Sequence, residues 1–173
     1  MTPEERHAES RSLCRVLLKK LPIEGVICAY FPLKTEADMR PLFQELLARG
    51  NKVYLPRFED NKMVYRRLMN IDDNLVPGEF TIPEPPKTAE PLNQEEAKVI
   101  LVPGRAFDKT GARLGRGSGG FDSWIAAHRK RHPATQFWGV CLQCQLVTEV
   151  PVEPHDEKMD IVATANEWLE IPK

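Results

Sequence analysis

Residues 101–124 read LVPGRAFDKTGARLGRGSGGFDSW, and several features typical of a phosphate-binding segment occur together in them. An apolar run predicted as a strand ends at Pro103-Gly104, and a helical pattern begins beyond Asp122. Between the two, glycines recur at alternate positions, where they let backbone N–H groups approach a ligand, and the helix start adds partial positive charge. With Arg113 and Arg116 in the segment, the pattern predicts an anion site in which the Asp122 carboxylate holds Mg²⁺ beside a phosphate.

The composition predicts one domain spanning residues 1–173. A chain of 173 residues with 42% hydrophobic content can bury one core of ordinary size. Lys plus Arg (24) nearly balance Asp plus Glu (25), so no broad basic field is present to attract nucleic acid. No apolar run reaches the roughly 18 residues of a membrane helix, and the N-terminal residues are too polar for a signal peptide. We therefore expect a cytoplasmic protein that binds neither nucleic acid nor membranes.

The four cysteines are predicted to be reduced thiols in or near the core. Only Cys141 and Cys144 form a Cys-x-x-Cys pair, and no second pair has metal-ligand spacing. A closed zinc site needs about four ligands, and His155 lies too far along the chain to complete one by spacing alone. A redox or zinc role for the pair stays open as the alternative.

Helical and strand patterns alternate along the first third of the chain. Thr2, Pro3 and Glu5 form a helix-start signal, in which Thr2 is the cap and Glu5 completes a capping box. The predicted elements are a helix from Pro3, a buried strand over 25–31, a helix through Leu42 and Leu46 that Gly50 ends, and a short strand over 52–55 that Pro56 ends. This order predicts parallel strands in an α/β layer fold.

The remaining chain is predicted to add further strands and one helix. Residues 62–68 alternate apolar and polar as in a half-exposed strand. Residues 70–97 hold several prolines and little periodicity, which predicts a long surface connection that is either a plain crossover or a functional loop. The later predictions are a helix through Trp124 and His128 into the basic residues 129–131, and strands at 137–142 and 160–164.

Taken in order, the motifs of this chain resemble those of the 5-formyltetrahydrofolate cyclo-ligases, also called 5,10-methenyltetrahydrofolate synthetases. The family's glycine-rich signature is matched by Val102-Pro103-Gly104, Ala106-Phe107-Asp108, Gly111, Arg113-Leu114-Gly115, Gly117, Gly119 and Phe121-Asp122. Further family features occur in the same order at Glu36-Ala37-Asp38, Leu55-Pro56-Arg57, Ile82-Pro83-Glu84-Pro85, Gln145, Val150-Pro151-Val152 and His155-Asp156. The resemblance covers nearly the whole chain, from residue 2 to residue 164.

This resemblance implies a fold and a reaction. The fold would be a single three-layer α/β/α domain with a mostly parallel mixed sheet, of the NagB/RpiA/CoA-transferase-like type. The reaction would be the ATP- and Mg²⁺-dependent conversion of 5-formyltetrahydrofolate to 5,10-methenyltetrahydrofolate, with release of ADP and phosphate. In the family's mechanism the N5-formyl oxygen attacks the γ-phosphate of ATP, and N10 then displaces the phosphate and closes the ring. The implied partner is a reduced folate, and we expect a monomer.

The resemblance also implies roles for individual residues. The ATP phosphates would be lined by Arg113, Leu114, Gly115, Arg116, Gly117, Ser118, Gly119, Gly120 and Phe121. The folate would be bound by Phe31, Glu36, Phe58, Phe80, Arg116, Gly117, Ser118, Gly119 and Gly120. Asp122 and Asp156 would hold Mg²⁺, and Arg113, Arg116 and Glu36 would carry the catalysis. The alternatives are helix capping for Glu36 and ordinary core packing for Phe58 and Phe80.

The sequence departs from the family pattern mainly at the nucleotide end. Family members usually carry a basic helix that reaches the ATP phosphates before the position of Thr2, whereas this sequence begins at Met1. The family's aromatic pair, which usually contains Tyr, is Gly120-Phe121 here, and Met39 and Ser123 stand where a threonine and a basic residue are expected. Each change removes a polar contact. The alternative function is therefore a non-catalytic relative that binds nucleotide or folate.

Overall fold

The computed structural model describes residues 1–71, 75–117 and 119–173. Its helices and strands, in chain order, are α1 (Pro3–Lys20), β1 (Val26–Cys28), α2 (Arg40–Ala48), β2 (Lys52–Glu59), β3 (Lys62–Leu68), β4 (Val76–Pro77), β5 (Pro83–Glu84), β6 (Ala97–Val102), β7 (Ala106–Phe107), β8 (Arg113–Leu114), α3 (Gly120–Arg131), β9 (Gln136–Val140), β10 (Ile161–Ala163) and β11 (Trp168–Glu170). Short 3₁₀ helices lie at Glu79–Thr81, Gln94–Glu96 and Gln143–Gln145.

Seven of the strands form one sheet in the order β11-β10-β9-β6-β1-β2-β3. The inner strands run parallel, and β3 and β11 lie antiparallel at the two edges. The chain proceeds outward from β1 to β2 in one direction and from β6 to β10 in the other, so the strand order reverses between β1 and β6. In open α/β sheets, ligands bind at the carboxyl ends of the strands beside such a reversal. The segments that follow β1 and β6 therefore mark the region of the site.

Helices cover both faces of the sheet. On one face α1 and α2 pack against the strands and bury Leu13, Leu17 and Leu46 completely. On the other face α3 packs through Ile125 against a cluster that includes Phe137. The predicted α/β class with a mostly parallel mixed sheet is confirmed. Among the described residues, none of these helices is long and apolar enough to cross a membrane.

Helix α1 begins at the capping box that the sequence predicted. The Thr2 hydroxyl accepts the N–H of Glu5 at 3.1 Å, and the Thr2 N–H donates to the Glu5 carboxylate at 2.7 Å. Such a cap stabilises a helix by about 1 kcal/mol because it satisfies donors that have no partner within the helix. The first turn of α1, which carries Arg6, is therefore held in a defined position.

Strand β2 is longer than the sequence predicted. It continues through Pro56 to Glu59 and pairs with β3 over nearly its whole length, whereas its pairing with β1 ends at Tyr54. Among the described residues, no strand flanks β2 on the β1 side beyond that point. Proline is tolerated in a strand where its missing N–H costs no ladder hydrogen bond. Pro56 therefore did not end the strand.

The proline-rich connection between β3 and β6 contains short elements of its own. Strands β4 and β5 pair as a hairpin. Residues 90–92 then run along the outer edge of β3, where the Arg67 N–H donates to the Glu90 carbonyl at 2.8 Å and the Leu92 N–H donates to the Tyr65 carbonyl at 3.0 Å. These elements, like β7, β8 and β11, were not predicted, because strands of two or three residues show no periodicity.

Candidate active site

A tight turn directly after β1 presents Glu36. The Leu33 N–H donates to Glu36 Oε1 at 2.7 Å, and the Glu36 N–H donates to the Leu33 carbonyl at 3.0 Å. Only 4% of Glu36 is exposed, and this burial raises the pKa of its carboxyl group, while the Leu33 N–H and the Arg116 charge act in the opposite direction. Helix capping, the alternative role for Glu36, is wrong: α2 begins four residues later, with Met39 as its N-cap.

Arg113 lies at the centre of the site, on β8. Its side chain is 5% exposed, and Nη1 donates to the Pro103 carbonyl at 3.0 Å, at the end of β6. Nη2 lies 3.4 Å from Asp122 Oδ2, and the guanidinium carbon lies 5.4 Å from the centre of the Phe121 ring. Its Nε is buried and has no hydrogen-bond partner among the described residues. Arg113 thus carries a positive charge and one unused donor in a nearly dry position.

Phe121 keeps an electrostatic contact although it lacks a hydroxyl group. Its ring faces the Arg113 guanidinium, an arrangement that stabilises a cation by about 0.5–2 kcal/mol. The departures at Met39 and Ser123 lie outside this contact. Met39 is completely buried in the core beneath α2, and Ser123 is exposed on α3.

The glycine-rich segment between β8 and α3 is open on its outer side. Gly117 and Gly119 have φ angles of 91° and 71°, in the left-handed region that favours glycine. A Cβ at either position would meet nothing within 4 Å among the described residues. At Gly115, in contrast, a Cβ would lie 3.2 Å from the Arg113 guanidinium nitrogens. Helix α3 starts immediately after Gly119 without a side-chain cap. The segment therefore leaves space in front of a helix N-terminus, which favours an anion.

Arg116 joins this segment to the Glu36 turn. Its Nη2 donates to the Thr35 hydroxyl at 3.1 Å and lies 3.7 Å from Glu36 Oε2. The Arg116 side chain remains 38% exposed, so its guanidinium can also reach a ligand in the open space. Arg116 thus joins two regions 81 residues apart in the sequence. The Glu36 turn was predicted to bind the folate, and residues 116–120 were predicted to touch both the ATP phosphates and the folate.

Asp122 and Asp156, the predicted metal ligands, both lie near Arg113. Burial lowers the pKa of Arg113, and the charges of Asp122 and then Asp156 raise it. Asp122 Oδ1 accepts the Glu157 N–H at 3.2 Å, and Asp156 Oδ2 accepts the Glu153 N–H at 2.7 Å. No group of three or more His, Cys, Asp and Glu side chains is arranged to hold a metal within the ranges that the structure describes. Two carboxylates still fit Mg²⁺, which usually binds one or two of them and takes its other ligands from phosphates and water.

The predicted aromatic residues lie on different faces of the sheet. Phe31 lines a cavity of about 160 Å³ beside α2, with the Arg40 guanidinium carbon 5.9 Å from its ring centre. Phe58 is partly buried against the core on the α3 face. Packing of this kind favours the core alternative for Phe58, and its contact with a pterin stays a prediction. Ser118 and the side chain of Phe80 lie outside the described part of the structure.

Asp108, which no prediction had assigned a role, fixes the turn between β7 and β8. It is 2% exposed, and its carboxylate accepts the Thr110 N–H (2.8 Å), the Thr110 hydroxyl (2.6 Å), the Ala112 N–H (3.2 Å) and the Val150 N–H (2.9 Å). Burial raises the pKa of Asp108, but these hydrogen bonds together lower it by more than burial raises it. The pKa of Asp108 therefore lies below its ordinary value. An aspartate two residues before a threonine is a turn signal that could have identified this role.

Glu84 is a second buried carboxylate that sequence reasoning missed. Its Oε1 lies 3.1 Å from Arg57 Nη1, and its Oε2 accepts the Phe58 N–H at 3.3 Å. A Cβ at Gly78 would meet the Glu84 carboxylate, so a larger residue there would displace Glu84. Glu84 therefore attaches the β4–β5 hairpin to the end of β2.

The cysteines are free thiols, as predicted. Cys141 is buried, which raises its pKa to about 12, whereas Cys144 is exposed. A thiol with so high a pKa is almost entirely protonated at neutral pH and is a poor nucleophile and metal ligand. This geometry does not support a redox or zinc role for the pair.

Comparisons with known proteins show which family this chain belongs to. The model of the 5-formyltetrahydrofolate cyclo-ligase family matches residues 1–165. A 5-formyltetrahydrofolate cyclo-ligase from Mycolicibacterium smegmatis is 36% identical over 170 residues, which cover 92% of this chain and 83% of that protein. The cyclo-ligase from Escherichia coli K12 is 28% identical and covers 97% of this chain and 96% of its own. The chain therefore belongs to the 5-formyltetrahydrofolate cyclo-ligase family, whose members are ATP-dependent enzymes.

A solved structure supports the same assignment. The 5,10-methenyltetrahydrofolate synthetase of Aquifex aeolicus superposes with a TM-score of 0.84 and is 31% identical. The superposition covers 100% of this chain and 86% of that one.

Proposed function

We propose that this protein converts 5-formyltetrahydrofolate to 5,10-methenyltetrahydrofolate, with ATP converted to ADP and phosphate, as a single-domain monomer in the cytoplasm. Family membership supports the reaction. The observation that carries the assignment of the site is the contact of Arg116 with the Thr35-Glu36 turn. A reaction that passes a phosphoryl group between two substrates needs both of them beside the same cations. The contact of Arg116 with the turn supports the proposal that the two regions bind their substrates side by side.

Glu36 is the proposed acceptor for the reduced pterin. Its Oε1 accepts the Leu33 N–H, whereas Oε2 lies 3.7 Å from Arg116 Nη2. A carboxylate oxygen accepts N–H donors of the reduced ring, and such charge-assisted bonds strengthen where water is excluded. Burial of Glu36 therefore supports the strength of the proposed contact.

Arg113, Arg116 and the backbone of residues 115–121 would bind the ATP phosphates. The buried Arg113 Nε supplies a donor without a competing partner in the described residues, and the positive end of α3 lies at the end of the same segment. Asp122 and Asp156 would hold Mg²⁺, which when bound neutralises phosphate charge. Attack of the N5-formyl oxygen on the γ-phosphorus places negative charge among these groups, where fixed cations and N–H donors stabilise it.

The second half of the reaction needs the phosphorylated formyl group to be held near N10 and away from water. N10 attacks the formyl carbon, the carbon–oxygen bond to the phosphate breaks, and the N10 proton is released. The Glu36 turn would hold the pterin, while Arg116 would stay on the departing phosphate. Orientation of this kind replaces a second encounter between molecules.

The test is the absorbance of the methenyl product in purified protein. We expect it to rise only when ATP, Mg²⁺ and 5-formyltetrahydrofolate are all present. A folded sample that binds the folate but forms no product would refute the catalytic proposal and favour the non-catalytic relative. Omission of each component in turn is the control, since an uncatalysed rise would not depend on ATP.

A further inference from the structure

Arg6, on the first turns of α1, contacts the turn that presents Glu36. Its Nε donates to the Glu36 carbonyl at 2.6 Å, and its Nη2 donates to the Leu33 carbonyl at 2.9 Å. These are the first and last residues of the turn, and one planar guanidinium binds both carbonyls. Because the spacing of its donors is rigid, the guanidinium fixes the distance between the two ends.

The helix that carries Arg6 is itself held firmly against this region. Its N-terminus has the Thr2–Glu5 capping box, and the buried Ser10 hydroxyl accepts the Asp38 N–H at 2.9 Å, just beyond the turn. Hydrogen bonds from α1 thus hold the turn on one side, while Arg116 contacts it from the glycine-rich segment. These two arginines occupy different positions: within the described residues Arg6 donates hydrogen bonds only to backbone oxygens of the turn, whereas the Arg116 side chain is 38% exposed.

We propose that Arg6 is a positioning residue for folate recognition, which acts through Glu36; this rests on the proposed role of Glu36 in the cyclo-ligase reaction. By fixing the Leu33 and Glu36 carbonyls, Arg6 keeps Glu36 Oε1 on the Leu33 N–H and leaves Oε2 directed toward the substrate. Its charge also favours the ionised carboxylate. The charged and titratable groups that face Glu36 are Arg6 from α1, Arg113 and Arg116 from the glycine-rich side, and Tyr30 from the end of β1.

The test compares Arg6→Gln and Arg6→Lys with Arg11→Gln, a matched control because Arg11 is exposed on the same helix. Calorimetry measures the affinity of each full-length protein for 5-formyltetrahydrofolate and, separately, for Mg²⁺-ATP, over a pH series. For Arg6→Gln we expect the folate dissociation constant to rise about tenfold, the loss that accompanies one charge-assisted hydrogen bond, with ATP affinity unchanged. The acidic pH at which folate binding is lost should also move upward, because Glu36 loses a cation that lowers its pKa.

Arg6→Lys separates charge from geometry. The lysine ammonium group keeps the positive charge but lacks the planar guanidinium that binds both carbonyls, so folate affinity should fall. The acidic pH at which folate binding is lost should stay where it is in the unaltered protein. A merely structural role would lower folate and ATP affinity together and would not change the acidic pH at which folate binding is lost. If Arg6→Gln does not fold, Arg6→Lys decides the matter by itself.

Three results would overturn the inference: folate affinity within twofold of the unaltered protein in both Arg6 variants, an equal loss in Arg11→Gln, or parallel loss of ATP affinity. Failure of the proposed function would be recognised separately. If the unaltered protein binds the folate without turnover while Arg6→Gln binds it more weakly, the catalytic proposal fails and the role of Arg6 stands. If the unaltered protein does not bind the folate, both fail.

Discussion

Glu36→Gln removes one charge from the candidate folate site and changes little else. Glutamine has nearly the same volume, and its Oε1 can still accept the Leu33 N–H that Glu36 accepts at 2.7 Å. What is lost is the negative charge at Oε2. A hydrogen bond to a charged group contributes about 1.5–3 kcal/mol, so the affinity for 5-formyltetrahydrofolate should fall roughly 10- to 150-fold. The affinity for Mg²⁺-ATP should stay within about twofold, because Glu36 itself is not proposed to contact the phosphates and Arg116 keeps its charge.

The pH dependence of folate binding provides an independent readout of the same residue. Burial raises the pKa of Glu36, so its carboxylate takes up a proton at a higher pH than an exposed glutamate does. Folate affinity of the unaltered protein should therefore decline as the pH falls through that raised pKa, and Glu36→Gln should lack this decline. Folding stability should change with pH in the opposite direction from folate affinity. A carboxyl group whose pKa is raised in the folded state stabilises the protein fully below its pKa in the unfolded chain, about 4.3. This stabilisation is lost as the pH rises through the pKa of the folded state. Near neutral pH, Glu36→Gln should thus melt at the same temperature as the unaltered protein or higher.

Calorimetry with each ligand, and thermal melting over the same pH range, measure these effects. Glu45→Gln is the matched control, since Glu45 is an exposed glutamate on α2. Folate affinity within twofold of the unaltered protein, combined with weaker ATP binding, would refute the assignment of Glu36 to the folate.

Asp122→Asn should weaken Mg²⁺-ATP at least about tenfold while folate affinity is retained, as calorimetry with and without Mg²⁺ would measure; an unchanged affinity for Mg²⁺-ATP contradicts the metal role. Asp108→Asn should cost about 1–3 kcal/mol of unfolding free energy, because an amide N–H₂ faces a backbone donor such as that of Val150. The pKa of Asp108 is lowered in the folded state, so this difference in denaturant midpoint should hold above about pH 4 and vanish in acid. Cys144 should react with a thiol reagent at neutral pH, and Cys141 about a thousandfold more slowly, as mass spectrometry would show; equal rates contradict the buried position of Cys141.

Local chemistry made part of this structure predictable. The Thr2–Glu5 capping box was read correctly because all its atoms lie within one helical turn. The glycine-rich segment was placed correctly between a strand and a helix, because glycine is the residue that adopts the positive φ angles this segment requires. The cysteines were also predicted correctly to be free thiols, because a count of the possible metal ligands near them was enough for that prediction.

Contacts between distant segments were beyond sequence reasoning. Glu84 lies in a motif that the sequence marked, but nothing nearby in the chain shows that it meets Arg57 and a backbone N–H on β2. In the sequence, Arg6 looks like any charged residue on the exposed surface of a helix. Its role depends on how α1 packs against the Glu36 turn. The C-terminal end of β2 was misjudged for the same reason, since whether proline ends a strand depends on which neighbours pair with it there.

The segment at residues 90–92 has a consequence for how molecules of this protein meet one another. An edge strand exposes unpaired N–H and C=O groups and can act as a template for a strand of another chain, which is a route to aggregation. Here the outer edge of β3 is occupied by its own chain through the Arg67–Glu90 and Leu92–Tyr65 hydrogen bonds, with Pro91 between them. The opposite edge is β11, only three residues long. The connection that looked featureless in the sequence thus closes one side of the sheet to intermolecular pairing, as a protein proposed to work as a monomer requires.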